Sequence, residues 1–339
     1  IAITMIAVYL FNSSVLSGAG ALLPFGYGQG TGQALNYGTI FEEEHNFIGG
    51  AHFGLTIAAL GFLSACFGGI IYLNILKRKG KLPQGRLTGE GDFTKEIYKD
   101  ENEIPTSGGM DKLTVQIILI AIVYLATFGF MYLIGSLADS LKSTIYGLNF
   151  LVGVIFAILL KTILNTLTKK NVLKKQYTNN YLLTRISNSC FDIMIVAGIA
   201  VIRIDFIKEY WLILLILGVV GAISTYYYNL FVAKKLFSSY YSEQFLVMYG
   251  MLTGTASTGI ILLREIDGEF TTPAEENLIY QNLPAIVFGF PLMFLILLAP
   301  KNDWLTLVIL VASFIAINIL LFRKQIFKKK NKADSSLRS

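Results

Sequence analysis

The sequence is poor in charge. Only 15% of its 339 residues are Asp, Glu, Lys or Arg, against about a quarter in soluble domains. Cysteine and histidine are also scarce, with two of each. Cys66 and Cys190 lie in apolar runs, which suits buried free thiols better than a disulfide framework or a metal centre. His45 and His52 lack the partners that a zinc site needs. There is no P-loop lysine, no set of metal-spaced ligands and no nucleophile–base constellation, so neither a cofactor nor an enzymatic activity is expected. The apolar runs do not alternate with period two, which excludes a β-barrel reading.

What the chain has is hydrophobic length. It is 54% hydrophobic, with a mean hydropathy of +0.60. Several runs approach or exceed the roughly 18 residues with which a helix crosses a bilayer. The expected fold class is an all-α polytopic membrane protein, lying in the cell's inner (plasma) membrane. The formal net charge of +6 gathers at the ends of apolar runs, a pattern that sets membrane orientation and does not suggest nucleic acid. Spans are expected at 51–76, 112–135, 144–167, 183–204, 210–232, 278–299 and 303–322, with 1–11 as the end of another. Residues 77–110 read as a solvated cytoplasmic loop. The chain opens at Ile1 inside an apolar run, without a basic n-region or a cleavage motif. A signal peptide is therefore not expected, and upstream sequence is expected to be missing.

Two glycine-rich stretches interrupt this pattern. Residues 26–38 read GYGQGTGQALNYG, a composition that belongs in a loop, and TIFEEEHNFIGG at 39–50 reads as a polar connection. Residues 249–259 read YGMLTGTASTG. Placing the basic ends at 77–81, 169–175, 234–235 and 323–332 in the cytoplasm tests the second stretch. A full crossing by 243–264 would leave the tail RKQIFKKKNK outside, whereas a segment that dips in and returns keeps it inside. The same logic lets 15–44 enter and leave from the outer side. Segments 1–76 and 210–299 then read as one pattern in opposite orientations, with broken or re-entrant segments at matching positions. Such inverted-topology repeats point to a secondary transporter and its binding site. The expected organisation is the C-terminal part of a first repeat (1–76), the loop (77–110), a second repeat (111–300, with its break at 250–259), and an added helix with a basic tail (301–339).

Irregular backbone is tolerated in hydrocarbon only where it is buried in protein or lines a wet cavity. Freed carbonyls there can coordinate Na⁺, and helix N-termini can hold a carboxylate. Gln29, Thr31, Gln33, Asn36, Thr253, Thr255, Ser257 and Thr258 add neutral donors and acceptors at the two breaks. The first stretch is not a dinucleotide fingerprint, because the G-x-G-x-x-G spacing fails at Gln33. Arg264 could hold a substrate carboxylate, or snorkel to the surface beside Glu265. Asp192 is an acid in mid-span; it could pair with Arg203 or serve as a proton or Na⁺ ligand. Asn277, Gln281 and Asn282 could line the cavity or face the interface. The EEE run at 42–44 reads as a solvated connection, and GFLSACFGG at 61–69 as a packing device.

The residues GYGQGTGQALNYGTIFEE and FIGGAHFGLTIAALGFLSACFGG resemble the first glycine-rich segment and following helix of the bacterial sodium/glutamate symporter family. NEIPTSGG resembles that family's loop end, and GMLTGTASTGIILLRE its second glycine-rich segment. The resemblance covers roughly residues 15–300. It implies Na⁺-coupled uptake of an acidic amino acid, inverted five-helix repeats, and a homodimer that moves a transport domain against a scaffold. By position, Gly28, Gln29, Gly30, Thr31, Gly32 and Gln33 match the first motif. Gly254, Thr255, Ser257, Thr258 and Gly259 occupy the second, with Thr31, Thr255 and Ser257 as the expected Na⁺ ligands. Gln29 and Gln33 depart from better-known members and leave the substrate open. Most upstream scaffold helices of the first repeat are absent, and 303–339 stands as an addition. A symporter of another carboxylate, a proton-coupled transporter, a channel and a non-transporting membrane protein are the alternatives.

Overall fold

A computed structural model of the chain describes residues 1–11, 14–80, 111–137, 142, 145–146, 149–173, 177–268 and 270–336. The loop expected over 77–110, with its NEIPTSGG motif, and the ADSLKS connection lie almost entirely outside the described residues. Regular structure among the described residues is helical. It comprises α1 (Ala2–Phe11), a 3₁₀ turn (Ser17–Ala21), α2 (Leu22–Gly28), α3 (Gly30–His45), α4 (Gly50–Arg78), α5 (Lys112–Leu137) and α6 (Asn149–Lys169). There follow α7 (Asn180–Ala200), α8 (Ile204–Leu236), α9 (Tyr241–Thr253), α10 (Ala256–Arg264), α11 (Ala274–Tyr280), α12 (Asn282–Met293), α13 (Leu295–Leu298) and α14 (Asp303–Ser336).

Six of these, α4 to α8 and α14, carry stretches long and apolar enough to cross a membrane. Their outward faces carry large apolar side chains, such as Ile117 and Leu125 on α5, Val219 and Ile223 on α8, and Val311 and Ile315 on α14. In water such faces would be a liability; in a bilayer they meet lipid. The chain is an all-α polytopic membrane protein.

The chain divides into two compact units, one formed by 1–21 with 285–339 and the other by 22–284. In the first, the Thr4 hydroxyl shares its one proton between the carbonyls of Ile1 and Ser17 and accepts from the Gly20 N–H, tying α1 to the 3₁₀ turn. The Tyr9 hydroxyl donates to Asp303 at the start of α14 (2.9 Å).

The second unit is built around α4. Glycines along α4 let its neighbours approach closely: Gly50 meets the Gly38 backbone, Gly54 meets the Ala34 backbone, and Gly69 makes room for the Leu262 side chain. This is how small residues pack helices in lipid, where apolar burial between helices gives no driving force. An aromatic cluster of Tyr72, Tyr226, Phe245 and Tyr249 joins α4, α8 and α9, with the rings of Tyr72 and Phe245 4.3 Å apart. At the far edge, Gln116 of α5 is buried and grips the turn before α7, donating to the Tyr177 carbonyl (2.8 Å) and accepting from the Asn179 N–H (3.0 Å).

Four sequence expectations change. Cys66 and Cys190, expected as buried thiols, are exposed on the outer faces of α4 and α7. The stretch 26–38 is mostly helix rather than loop, interrupted only at Gln29–Gly30. The acidic run at 42–44 is the last part of α3 rather than a connection, and Glu42 accepts the Ala51 N–H (3.2 Å) at the start of α4. An acid suits that place because a helix N-terminus carries unpaired N–H groups and partial positive charge. The span expected at 278–299 is three pieces, α11 to α13, and α12 contains Pro291. Proline lacks the amide proton that would continue the ladder.

Candidate functional site

The first break sits between α2 and α3. Gly30 has φ +79, in the left-handed region where a glycine is at ease, and Gln29 stands before it as the N-cap without a side-chain cap bond. The rings of Phe25 and Tyr37 lie 4.6 Å apart across this break. In one continuous helix, residues so spaced would be separated by about 18 Å along the axis, so α2 and α3 fold back on each other.

The second break, Gly254–Thr255, is a tight helical hairpin. A Cβ built on Gly250 of α9 would lie 2.7 Å from the Cα of Gly259 on α10, and one on Gly259 would lie 2.6 Å from the Val247 carbonyl oxygen. Thr255 and Thr258 form a capping box at the start of α10, which satisfies two of the N–H groups that a helix start leaves open.

The two breaks meet. A Cβ on Gly28, the last residue of α2, would touch Leu252 of α9 at 3.8 Å. A Cβ on Gly61 of α4 would lie 2.8 Å from the Thr253 carbonyl oxygen and 3.3 Å from the Cα of Tyr27. Ser64, one turn along α4, serves both sides. Its Oγ lies 3.1 Å from the Tyr27 hydroxyl, and its carbonyl accepts from the Tyr249 hydroxyl (2.9 Å).

Helix α7 crosses both helix starts. Thr31 Oγ1 donates to the Met194 carbonyl (3.3 Å), and a Cβ on Gly198 would lie 3.0 Å from the Thr31 methyl. The Ser257 hydroxyl donates to Asn188 Oδ1 (2.7 Å). The ends of α2 and α9 lie side by side, and Thr31 at the start of α3 and Ser257 at the start of α10 both contact α7, at points about 9 Å apart along its axis. Each hydroxyl that donates to its partner keeps lone pairs for a cation. The helix starts attract anions and the helix ends attract cations.

The structure sets Gly28, at the end of α2, near Leu252 of α9, and sets Thr31 and Ser257 against α7 at Met194 and Asn188; Gln29, Gly30, Gly32 and Gln33 lie at the start of α3, and Gly254, Thr255 and Thr258 at the second break. Asn36 lies a turn further along α3, and Gly259 is used in the hairpin's own packing. Arg264 is not brought there. It ends α10, about 13 Å along the axis from the break, with its guanidinium over the Phe270 ring (5.4 Å). Asp192 is exposed on α7, between the positions that touch Ser257 and Thr31. Arg203, its suggested partner, is the N-cap of α8, beyond the end of α7. Asn277 and Gln281 face α9 rather than the breaks. Asn277 donates to Tyr240 and Gln244, and Gln281 to the Met251 sulfur. The side chain of Asn282 lies outside the described residues.

Residues the sequence reading passed over include Tyr27, Tyr37, Ser64, Asn188 and Tyr249. Asn188 carried a signal, being an amide within an apolar run four residues before Asp192. Three residues past the end of α10, buried Asp267 accepts from the N–H and hydroxyl groups of both Thr271 and Thr272. Burial pushes its pKa up, but the hydrogen bonds from Thr272 and Thr271 outweigh this and hold the carboxyl below its ordinary value.

Comparison with models of known protein families, with curated proteins and with solved structures returned no match.

Proposed function

We propose that this membrane protein is a secondary active transporter that carries glutamate or a similar acidic amino acid into the cell, coupled to Na⁺ and working across the plasma membrane. The observation that carries this reading is the meeting of two helix breaks at Gly61, with α7 laid across both helix starts. Such a meeting point offers carbonyl and hydroxyl oxygens to a cation and amide groups to a carboxylate. Thr31, Thr255 and Ser257 are the hydroxyls proposed for Na⁺, and the starts of α3 and α10 are proposed for the substrate's carboxylates. Association as a homodimer, with one part moving against another, is part of the same reading.

A proton-coupled variant has one observation in its favour: Asp192 is exposed on α7 between the two contact points. An acid within a spanning helix is a proton-relay candidate. Uptake of labelled L-glutamate into proteoliposomes tests the proposal. Accumulation above the outside concentration, driven by an inward Na⁺ gradient, is expected. Accumulation driven by a proton gradient without Na⁺ would favour the variant, and flux that never runs uphill would reject both.

A further inference from the structure

The inner face of α3 carries two polar atoms that find no hydrogen-bond partner among the described residues. They are Oε1 of Gln33 and the hydroxyl of Tyr37. Tyr37 is fully buried, with 0% relative exposure, and the Gln33 oxygen is out of contact with solvent. The two residues are four apart, so they stand one above the other on one face of the helix. Helical side chains lean toward the N-terminus, so both reach toward the Gly30 end. The Tyr37 ring rests against Phe25 of α2, which keeps it in the crease between the two helices.

Burying a polar group without a partner is costly, and native proteins rarely tolerate it without a reason. Here two such groups sit within the first two turns of a helix whose N-terminus has no side-chain cap. The helix start asks for an anion. The amide carbonyl asks for a donor, and the hydroxyl can turn to accept one. One class of small molecule offers a carboxylate and a cationic donor on adjacent atoms: an α-amino acid in its zwitterionic form.

We propose that Gln33 and Tyr37 receive the ammonium group of such a substrate, while the amides at the start of α3 receive its α-carboxylate. This rests on the transport reading above and makes it narrower. The site would select an amino acid over a dicarboxylate of the same length that lacks nitrogen. Gln33 then acts as the ammonium acceptor, and Tyr37, which no motif marks, becomes a specificity residue.

The test is equilibrium binding to the purified full chain in detergent, in saturating Na⁺, with L-glutamate and with glutarate. Glutarate keeps both carboxylates and has no ammonium. The native chain is expected to bind glutamate at least about tenfold more tightly, since a hydrogen bond to a charged group is worth about that much or more. Tyr37→Phe and Gln33→Met should each weaken glutamate binding about tenfold and leave glutarate unchanged. An unchanged melting temperature for Tyr37→Phe establishes that folding is intact. Equal affinity for the two compounds in the native chain would overturn the proposal. So would equal losses for both compounds in the variants, or no loss at all, which is the result expected if an ordered water fills the crease. The transport reading stands or falls separately, on Na⁺-driven accumulation in vesicles.

Discussion

At Gly61 the space a methyl group would need is taken from both sides, by the Thr253 carbonyl and by the Tyr27 backbone. Neither is the end of a flexible side chain, so Gly61→Ala must push the two breaks apart. Overpacking of this kind costs about 1–3 kcal/mol. A lowered melting temperature together with weakened glutamate binding is expected. A variant as stable and as active as the native chain would show that the breaks do not meet there. The Ser257–Asn188 hydrogen bond is a second residue-level test. Polar pairs between membrane helices are coupled by about 0.6 kcal/mol on average. A double-mutant cycle with Ser257→Ala and Asn188→Ala should return a coupling of about that size in stability, and zero coupling would separate α7 from the second break. Asp267 gives a pH dependence. Its folded pKa lies below its ordinary value, so its contribution is complete above the pH at which an unfolded aspartate titrates, about 4. That contribution is lost as the pH falls through the lower folded value. Melting temperatures measured from pH 7 down toward pH 3 should fall further for the native chain than for Asp267→Asn.

At the scale of helices, the two breaks were legible in the sequence because glycine, threonine and amide residues are rare in apolar runs and here came in two groups. Their extent was not. Ala34 and Leu35 are strong helix formers, and of the residues in 26–38 only Gly30 adopts a positive φ. Composition alone suggested a loop, yet a single residue does the breaking. The fold-back of 243–264 was argued from lysines far away in the chain, since a full crossing would strand the basic tail. Its physical basis is local: Gly250 and Gly259 let α9 and α10 touch backbone to backbone. Helix α7 was the harder case. It contacts Thr31 through the Met194 carbonyl, and a backbone carbonyl leaves no mark in a sequence. The Tyr37 hydroxyl, without a partner among the described residues, is equally invisible, because its burial exists only once α2 has folded onto α3. If α7 moves during transport, linking it to α10 should stop the cycle. In a chain with Cys66 and Cys190 replaced, Asn188→Cys with Ser257→Cys should be bridged by a short cross-linker that joins the two thiols through reducible disulfide bonds. Measured against the reduced uptake that the unbridged double-cysteine chain keeps without the Ser257 hydroxyl, bridging should bring uptake to background and reduction should restore it; uptake unchanged by bridging would make α7 a static wall.

At the scale of the whole chain, six apolar helices place the protein in a bilayer, and the unit spanning 22–284 holds both breaks. A carrier differs from a channel or a scaffold in one respect: its site opens to the two sides in turn. The most direct measurement is labelling of a single cysteine at Ser257→Cys, in the otherwise cysteine-free chain, by membrane-impermeant thiol reagents added to one face of oriented vesicles or the other. The account predicts labelling from both faces, with protection by Na⁺ and glutamate together at concentrations raised to offset the lost Ser257 hydroxyl. Labelling from one face only, unchanged by Na⁺ and glutamate, would contradict it.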